Sequence, residues 1–180
     1  MMNLPNLLAS MRIGLAPLMF ILLVNRDLPL FRGLHVTWLD YFAALIFVIA
    51  SATDFFDGYI ARNWDQKTQL GAILDPLADK MLTLAAFLGL MMIDRANPWA
   101  IFLILTREFF ITGLRVAAMG EGRNIAASMA GKVKTVFQMI AIGFLMMNWP
   151  FAELLLWLAV GLTMYSGYEY IIGYTKKENR

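Results

Sequence analysis

Six apolar stretches separated by short polar breaks run along the chain, each approaching the length of a membrane-crossing helix. Such a helix needs about 20 residues to traverse a hydrocarbon core roughly 30 Å thick. The pattern predicts an all-α integral membrane protein, a bundle of six transmembrane helices forming a single domain over residues 1–180. The helices are expected over about 7–24, 37–60, 70–93, 98–119, 126–147 and 151–170. Asn3-Leu4-Pro5-Asn6 reads as a turn or short surface helix before the first, and Lys176-Lys177-Glu178-Asn179-Arg180 as a charged tail after the last.

Composition agrees, with 60% apolar residues and a mean hydropathy of +0.64. Of the 15 lysines and arginines, Arg26, Arg32 and Arg95 fall toward one set of helix ends and the rest toward the other. Positive charge is retained on the cytoplasmic side. Both termini are therefore expected in the cytoplasm, with the protein in the cell's inner membrane. Arg12 interrupts the first apolar run, and no small-x-small site precedes a soluble domain, so that run reads as a retained helix. Trp38, Trp99 and Trp149 fall near outer helix ends and Trp64 near an inner one, as interfacial anchors do. With no cysteine, thiolate metal sites and cysteine nucleophiles are excluded. One histidine, His35 in a predicted loop, leaves no zinc triad, and a net charge of +2 is too small to suggest nucleic-acid binding.

Against this background the frame Asp54-x-x-Asp57-Gly58-x-x-Ala61-Arg62, then Gly71-x-x-x-Asp75-x-x-x-Asp79, stands out. Unpaired carboxylates beside lipid cost several kcal/mol each. Asp54 and Asp57 are three apart and Asp75 and Asp79 four apart, so each pair shares one face of its helix. Two such pairs facing each other would repel unless divalent cations lay between them. Four convergent carboxylates suit Mg²⁺ or Mn²⁺, hard ions that also hold phosphates. The residues thus point to a membrane enzyme of metal-assisted phosphoryl chemistry. A transporter fits less well, because the acids gather near one membrane face instead of marking a path across it.

The frame resembles the signature of the CDP-alcohol phosphotransferase family, every fixed position of which is present. The resemblance implies a six-helix transmembrane bundle, usually a homodimer, with a cytoplasm-facing site and two divalent cations. It implies that Asp54, Asp57 and Asp75 carry the metals, while Asp79 completes the cluster and takes the proton of the acceptor hydroxyl. Gly58, Ala61 and Gly71 would leave room for the cytidine nucleotide, with Arg62 near it.

The second half of the chain bears on the acceptor. Arg107 and Arg115 are eight apart on the fourth helix, nearly on one face, and Lys132 and Lys134 open the fifth. Glu108 is the one local acid able to pair with any of these four cations. Such a cationic pocket asks for an anionic substrate group, and arginine suits bidentate phosphate recognition. Glycerol 3-phosphate meets that demand. Thr106-Arg107-Glu108-Phe109, Gly113-Leu114-Arg115 and Gly131-Lys132-Val133-Lys134-Thr135 with Gln138 are similar to the phosphatidylglycerophosphate synthase branch of the family. So is the opening Asn3-Leu4-Pro5-Asn6-Leu7-Leu8 with Arg12, which implies contacts of Asn6 and Arg12 with CDP-diacylglycerol. Ala9 departs from that branch, where threonine is frequent. The expected reaction is CDP-diacylglycerol plus glycerol 3-phosphate giving phosphatidylglycerol phosphate and CMP. A cardiolipin synthase of the same family, taking phosphatidylglycerol as acceptor, is the alternative.

Overall fold

The structure, a computed structural model, describes residues 4–63, 69–120 and 129–178. These residues form α1 (Leu4–Val24), α2 (Val36–Asn63), α3 (Gln69–Met92), α4 (Pro98–Gly120), α5 (Met129–Met146) and α6 (Ala152–Glu178), with a 3-10 turn at Pro29–Phe31. The expected fifth-helix start at 126 and Trp64 lie outside the described residues.

Two termini depart from the sequence reading. Helix α1 begins at Leu4, so the expected turn is its first turn. Pro5 is tolerated there because the first amides of a helix have no intrahelical acceptor. Helix α6 continues to Glu178, beyond the expected end at 170. Hydropathy marks where the apolar run stops, and no proline follows it to stop the helix. Two other helix ends close in left-handed caps. Asp94 and Asn148 adopt positive φ after α3 and α5. The following amides bond back to Leu90 and Phe144, at 2.9 and 3.0 Å, closing Schellman turns.

Among the described residues three helices, not six, are long and apolar enough to cross a membrane by composition alone: Leu7–Val24, Val36–Thr53 and Met129–Met146. Helix α3 contributes the shorter apolar stretch Lys80–Met92. The sequence expectation of six membrane spans is corrected accordingly, to six helices of which three qualify. Arg107, Glu108 and Arg115 all lie within α4. Glu153, Glu169 and a series of tyrosine, serine and threonine residues lower the hydropathy of α6.

The helices group into two compact units, Met1–Arg95 with Met146–Asn148, and Ala96–Leu145 with Trp149–Arg180. In the first, α1 packs on α2 and α3, which also meet each other. Ala9, Arg12, Ala16, Met19 and Leu23 are buried in one stripe of α1, alternately three and four residues apart. That near-3.5 period suits neighbours crossing at about 20°. Much of the buried surface is alanine: Ala43 and Ala50 on α2, Ala78 and Ala86 on α3. A Cβ at Gly89 would stand 3.0 Å from Leu23 Cδ1, so glycine sets how closely α1 and α3 approach. Larger apolar side chains such as Leu18, Ile21, Trp38, Leu45 and Val48 are exposed. Small residues at the helix contacts, among larger ones such as Met19 and Phe87, let the backbones approach closely, which is what drives association in lipid.

One end of this unit is fastened by ions. Asp40 Oδ1 accepts from Arg26 Nη2 and Oδ2 from Arg95 Nη2, both at 2.7 Å. Arg26 Nε also donates to the Leu23 carbonyl at 2.8 Å, and Arg95 Nη1 to that of Met146 at 2.6 Å. Burial lowers the Arg26 pKa from its ordinary value, with the Asp40 charge opposing.

In the second unit α4 packs on α6. Helix α5 joins them through Gln138 Nε2, which donates to Thr163 Oγ1 on α6 at 2.9 Å, and Lys134, which reaches Glu108 on α4. The buried stripe of α6 is Leu156, Ala159, Thr163, Ser166 and Tyr170, again spaced by three and four and increasingly polar toward its C-terminal end.

Candidate active site

The aspartate frame lies on the α2–α3 hairpin. Asp57 stands six residues before Asn63, where α2 ends, and Asp75 six residues after Gln69, where α3 begins. Each is therefore about 9 Å along its helix from the 64–68 connection, at 1.5 Å per residue. Packed helices joined so closely run antiparallel. Both acidic turns thus belong to one end of the hairpin. The side chains of Asn6, Asp54, Asp57, Gly58, Ala61, Arg62, Gly71, Asp75 and Asp79 lie outside the described residues. Among the described residues no group of three acidic, histidine or cysteine side chains is placed to hold a metal. Arg12 is buried in the α1 stripe, only 1% exposed.

The second polar cluster joins α4, α5 and α6. Glu108 Oε1 accepts from Lys134 Nζ and, at 3.3 Å, from Arg107 Nη1. Arg107 Nη2 donates to Ser166 Oγ on α6 at 2.9 Å. Arg115, two turns further along α4, sets its guanidinium 5.8 Å from the centre of the Tyr170 ring on α6. Both arginines thus lean on α6, in line with their shared face. Lys134 is buried, whereas Lys132 is exposed. Residues two apart on a helix point in nearly opposite directions, so the structure brings together Arg107, Lys134 and Glu108, with Arg115 leaning on α6 and Lys132 facing outward.

Charged side chains at the centre of a membrane helix cost about 2.5–3.5 kcal/mol each on insertion scales. Pairing Glu108 with Arg107 and Lys134 offsets part of that cost. Beside it an open groove of about 370 Å³ runs between α4 and α6, walled by Leu103, Phe110, Ile111, Met164, Tyr168 and Ile171, with Thr106, Arg107 and Gly167. Arg107 Nε is buried there and makes no hydrogen bond. A groove in the first unit, between α1 and α3, has an entirely apolar lining that includes Pro17, Phe20 and Leu84. Of these two grooves only the first has a charged residue, Arg107, in its lining, and its surface is otherwise almost entirely apolar.

Sequence reasoning saw Glu108 as a partner for one cation; it serves two. The signal was an acid adjoining an arginine within an apolar helix. Ser166 was missed, since one serine among the polar residues of α6 carries no local mark of its long-range partner.

Fold and polar clusters together define a class: an all-α, multi-pass membrane protein with paired carboxylates on consecutive helices and a cationic cluster further along the chain. Within that class the chain belongs to the CDP-alcohol phosphatidyltransferase family, whose model matches residues 2–165. It is 39% identical to the CDP-diacylglycerol–glycerol-3-phosphate 3-phosphatidyltransferase of Bacillus subtilis, with 94% of each chain covered. With the protein of the same name from Escherichia coli it shares 38% identity over 94% of this chain and 93% of the relative. The relative of that name from Cereibacter sphaeroides is 37% identical over 81% of this chain and 64% of its own length.

Proposed function

We propose that this chain transfers a phosphatidyl group from CDP-diacylglycerol to sn-glycerol 3-phosphate, yielding phosphatidylglycerol phosphate and CMP. The observation that carries the reading is near full-length similarity to relatives bearing that activity in their names. The cations gathered around Glu108 support the choice of acceptor, because glycerol 3-phosphate brings a phosphate for such groups to bind.

In this reading the single catalytic domain is a six-helix transmembrane bundle in the cytoplasmic membrane. Helices α3, α4 and α6 cross despite their polar residues; Arg107, Thr163 and Ser166 turn toward neighbouring helices, while Glu153 and Glu169 stand exposed. Both termini and the site face the cytoplasm, and the protein works as a homodimer, as the family resemblance implies.

Asp54, Asp57, Asp75 and Asp79 hold two divalent cations, Mg²⁺ or Mn²⁺; an all-carboxylate donor set on two packed helices fits such hard ions. When bound, these supply charge neutralisation at the pyrophosphate and at the departing CMP. Asn6, Arg12 and Arg62 bind the CDP-diacylglycerol phosphates, while Gly58, Ala61 and Gly71 admit the nucleotide. Arg107 and Lys134 grip the acceptor phosphate from within their cluster, and Arg115 and Lys132 attract it from outside. The acceptor hydroxyl oxygen attacks the phosphorus next to diacylglycerol, the bond to CMP breaks, and Asp79 takes the hydroxyl proton.

The test is CMP release by detergent-purified protein with CDP-diacylglycerol and Mg²⁺ or Mn²⁺, comparing glycerol 3-phosphate with phosphatidylglycerol. Turnover with glycerol 3-phosphate is expected, and Asp79→Asn should fold yet lose it. A preference for phosphatidylglycerol would move the chain to cardiolipin synthesis, and near-normal turnover of the variant would remove Asp79 as the base.

A further inference from the structure

Arginine is a flexible side chain, and a phosphate that binds one must freeze it. Arg107 is already held. Its Nη1 is tied to Glu108 and its Nη2 to Ser166. Its stem lies across α6 at Gly167, where an added Cβ would stand 3.1 Å from both Cγ and Nε. Such a distance is tighter than most side-chain contacts, so with an alanine there the Arg107 stem would have to shift by a few tenths of an ångström. The Nε–H beside it is buried and makes no hydrogen bond. A buried donor in that state awaits an acceptor, and Nε together with a terminal nitrogen forms the fork that carboxylates and phosphates accept. Ser166 and Gly167 are themselves buried.

We infer that Ser166 and Gly167 are positioning residues for acceptor recognition: the serine hydroxyl orients the Arg107 guanidinium, and the glycine leaves the room that the Arg107 stem and its buried Nε occupy. Neither residue touches substrate; both act through Arg107. The inference rests on Arg107 being a ligand of the acceptor phosphate.

It is tested with full-length purified Ser166→Ala, Gly167→Ala and Arg107→Ala proteins and the Ser166→Ala/Arg107→Ala double variant. The KM for glycerol 3-phosphate, the KM for CDP-diacylglycerol and kcat are measured for each. Ser166→Ala should raise the KM for glycerol 3-phosphate about tenfold, as loss of a hydrogen bond to a charged group does. The KM for CDP-diacylglycerol should stay within about twofold, well inside the change expected for one lost contact. Gly167→Ala should show the same split more strongly. In the Arg107→Ala background, Ser166→Ala should add nothing, because its effect passes through the missing side chain.

An equal rise in both KM values, or an undiminished effect in the Arg107→Ala background, would show Ser166 to be merely structural and overturn the inference. If Arg107→Ala raises the glycerol 3-phosphate KM while Ser166→Ala and Gly167→Ala do not, the positioning role alone is lost. If Arg107→Ala leaves that KM unchanged, the acceptor assignment of Arg107 fails first and takes this inference with it. Should Gly167→Ala fail to fold, the Ser166→Ala cycle decides the matter.

Discussion

Asp40 and Glu108 are each one carboxylate between two cations, yet they leave their surroundings in different states. Asp40 offers one oxygen to each arginine, at 2.7 Å, and those arginines bond onward to the carbonyls of Leu23 and Met146. Helix ends are joined and no groove opens beside the cluster among those described. At Glu108, Lys134 and Arg107 both reach Oε1, Arg107 keeps a buried Nε–H without an acceptor, and a groove of about 370 Å³ adjoins it. A matched set of bonds makes a fastener. A donor left unfilled beside a groove, as Arg107 Nε is, can still take its acceptor from a ligand.

The largest effect should come from breaking the fastener. Asp40→Ala leaves Arg26 and Arg95 facing each other without the acid that separates them. Removing one partner of a buried ion pair costs about 3–5 kcal/mol. The arginines keep 19% and 16% of their side-chain surface exposed and can turn partly to water, so the low end applies. About 3 kcal/mol should lower the thermal midpoint in detergent by roughly 6–12 °C for a chain of this size. The KM for glycerol 3-phosphate should not move. A rise in that KM without loss of stability would make Asp40 part of recognition and dissolve the contrast.

Glu108→Gln probes the other side. The amide keeps the shape but loses the charge, so Lys134 and Arg107 repel more and hold their places less firmly. We expect the glycerol 3-phosphate KM to rise about tenfold, near 1.4 kcal/mol, with the thermal midpoint lowered by less than in Asp40→Ala. Greater loss of stability than in Asp40→Ala, with KM unchanged, would identify Glu108 as a second fastener.

How legible these two clusters were depends on how far apart their members lie in sequence. All six helices could be placed from runs of apolar residues, although among the described residues only three are long and apolar enough to cross a membrane by composition alone. The aspartate frame could be read because its spacings are short and helical. Glu108 was half legible: Arg107 adjoins it, but Lys134 is 26 residues away. Asp40 was not, since its arginines lie 14 and 55 residues distant and each alone looks like an ordinary topological charge. Nor could hydropathy show that α6 continues to Glu178, as a helix leaving the membrane need not end there. Short-range periodicity survives in one dimension; pairings set by tertiary approach do not.

The smallest effect is expected at Lys132, and it sharpens the contrast most finely. Lys132 is exposed on α5, two residues from buried Lys134 and so turned away from it. Its charge should act on the acceptor phosphate only through solvent, where a separation near 10 Å is already about one Debye length at 0.1 M salt. Lys132→Ala should therefore raise the glycerol 3-phosphate KM less than about twofold at physiological salt and somewhat more at 0.01 M, where screening extends to about 30 Å. Measuring KM across that range separates attraction from contact. A tenfold rise that salt does not change would mean that Lys132 touches the phosphate, placing recognition on the exposed face of α5 and not beside the groove at Arg107.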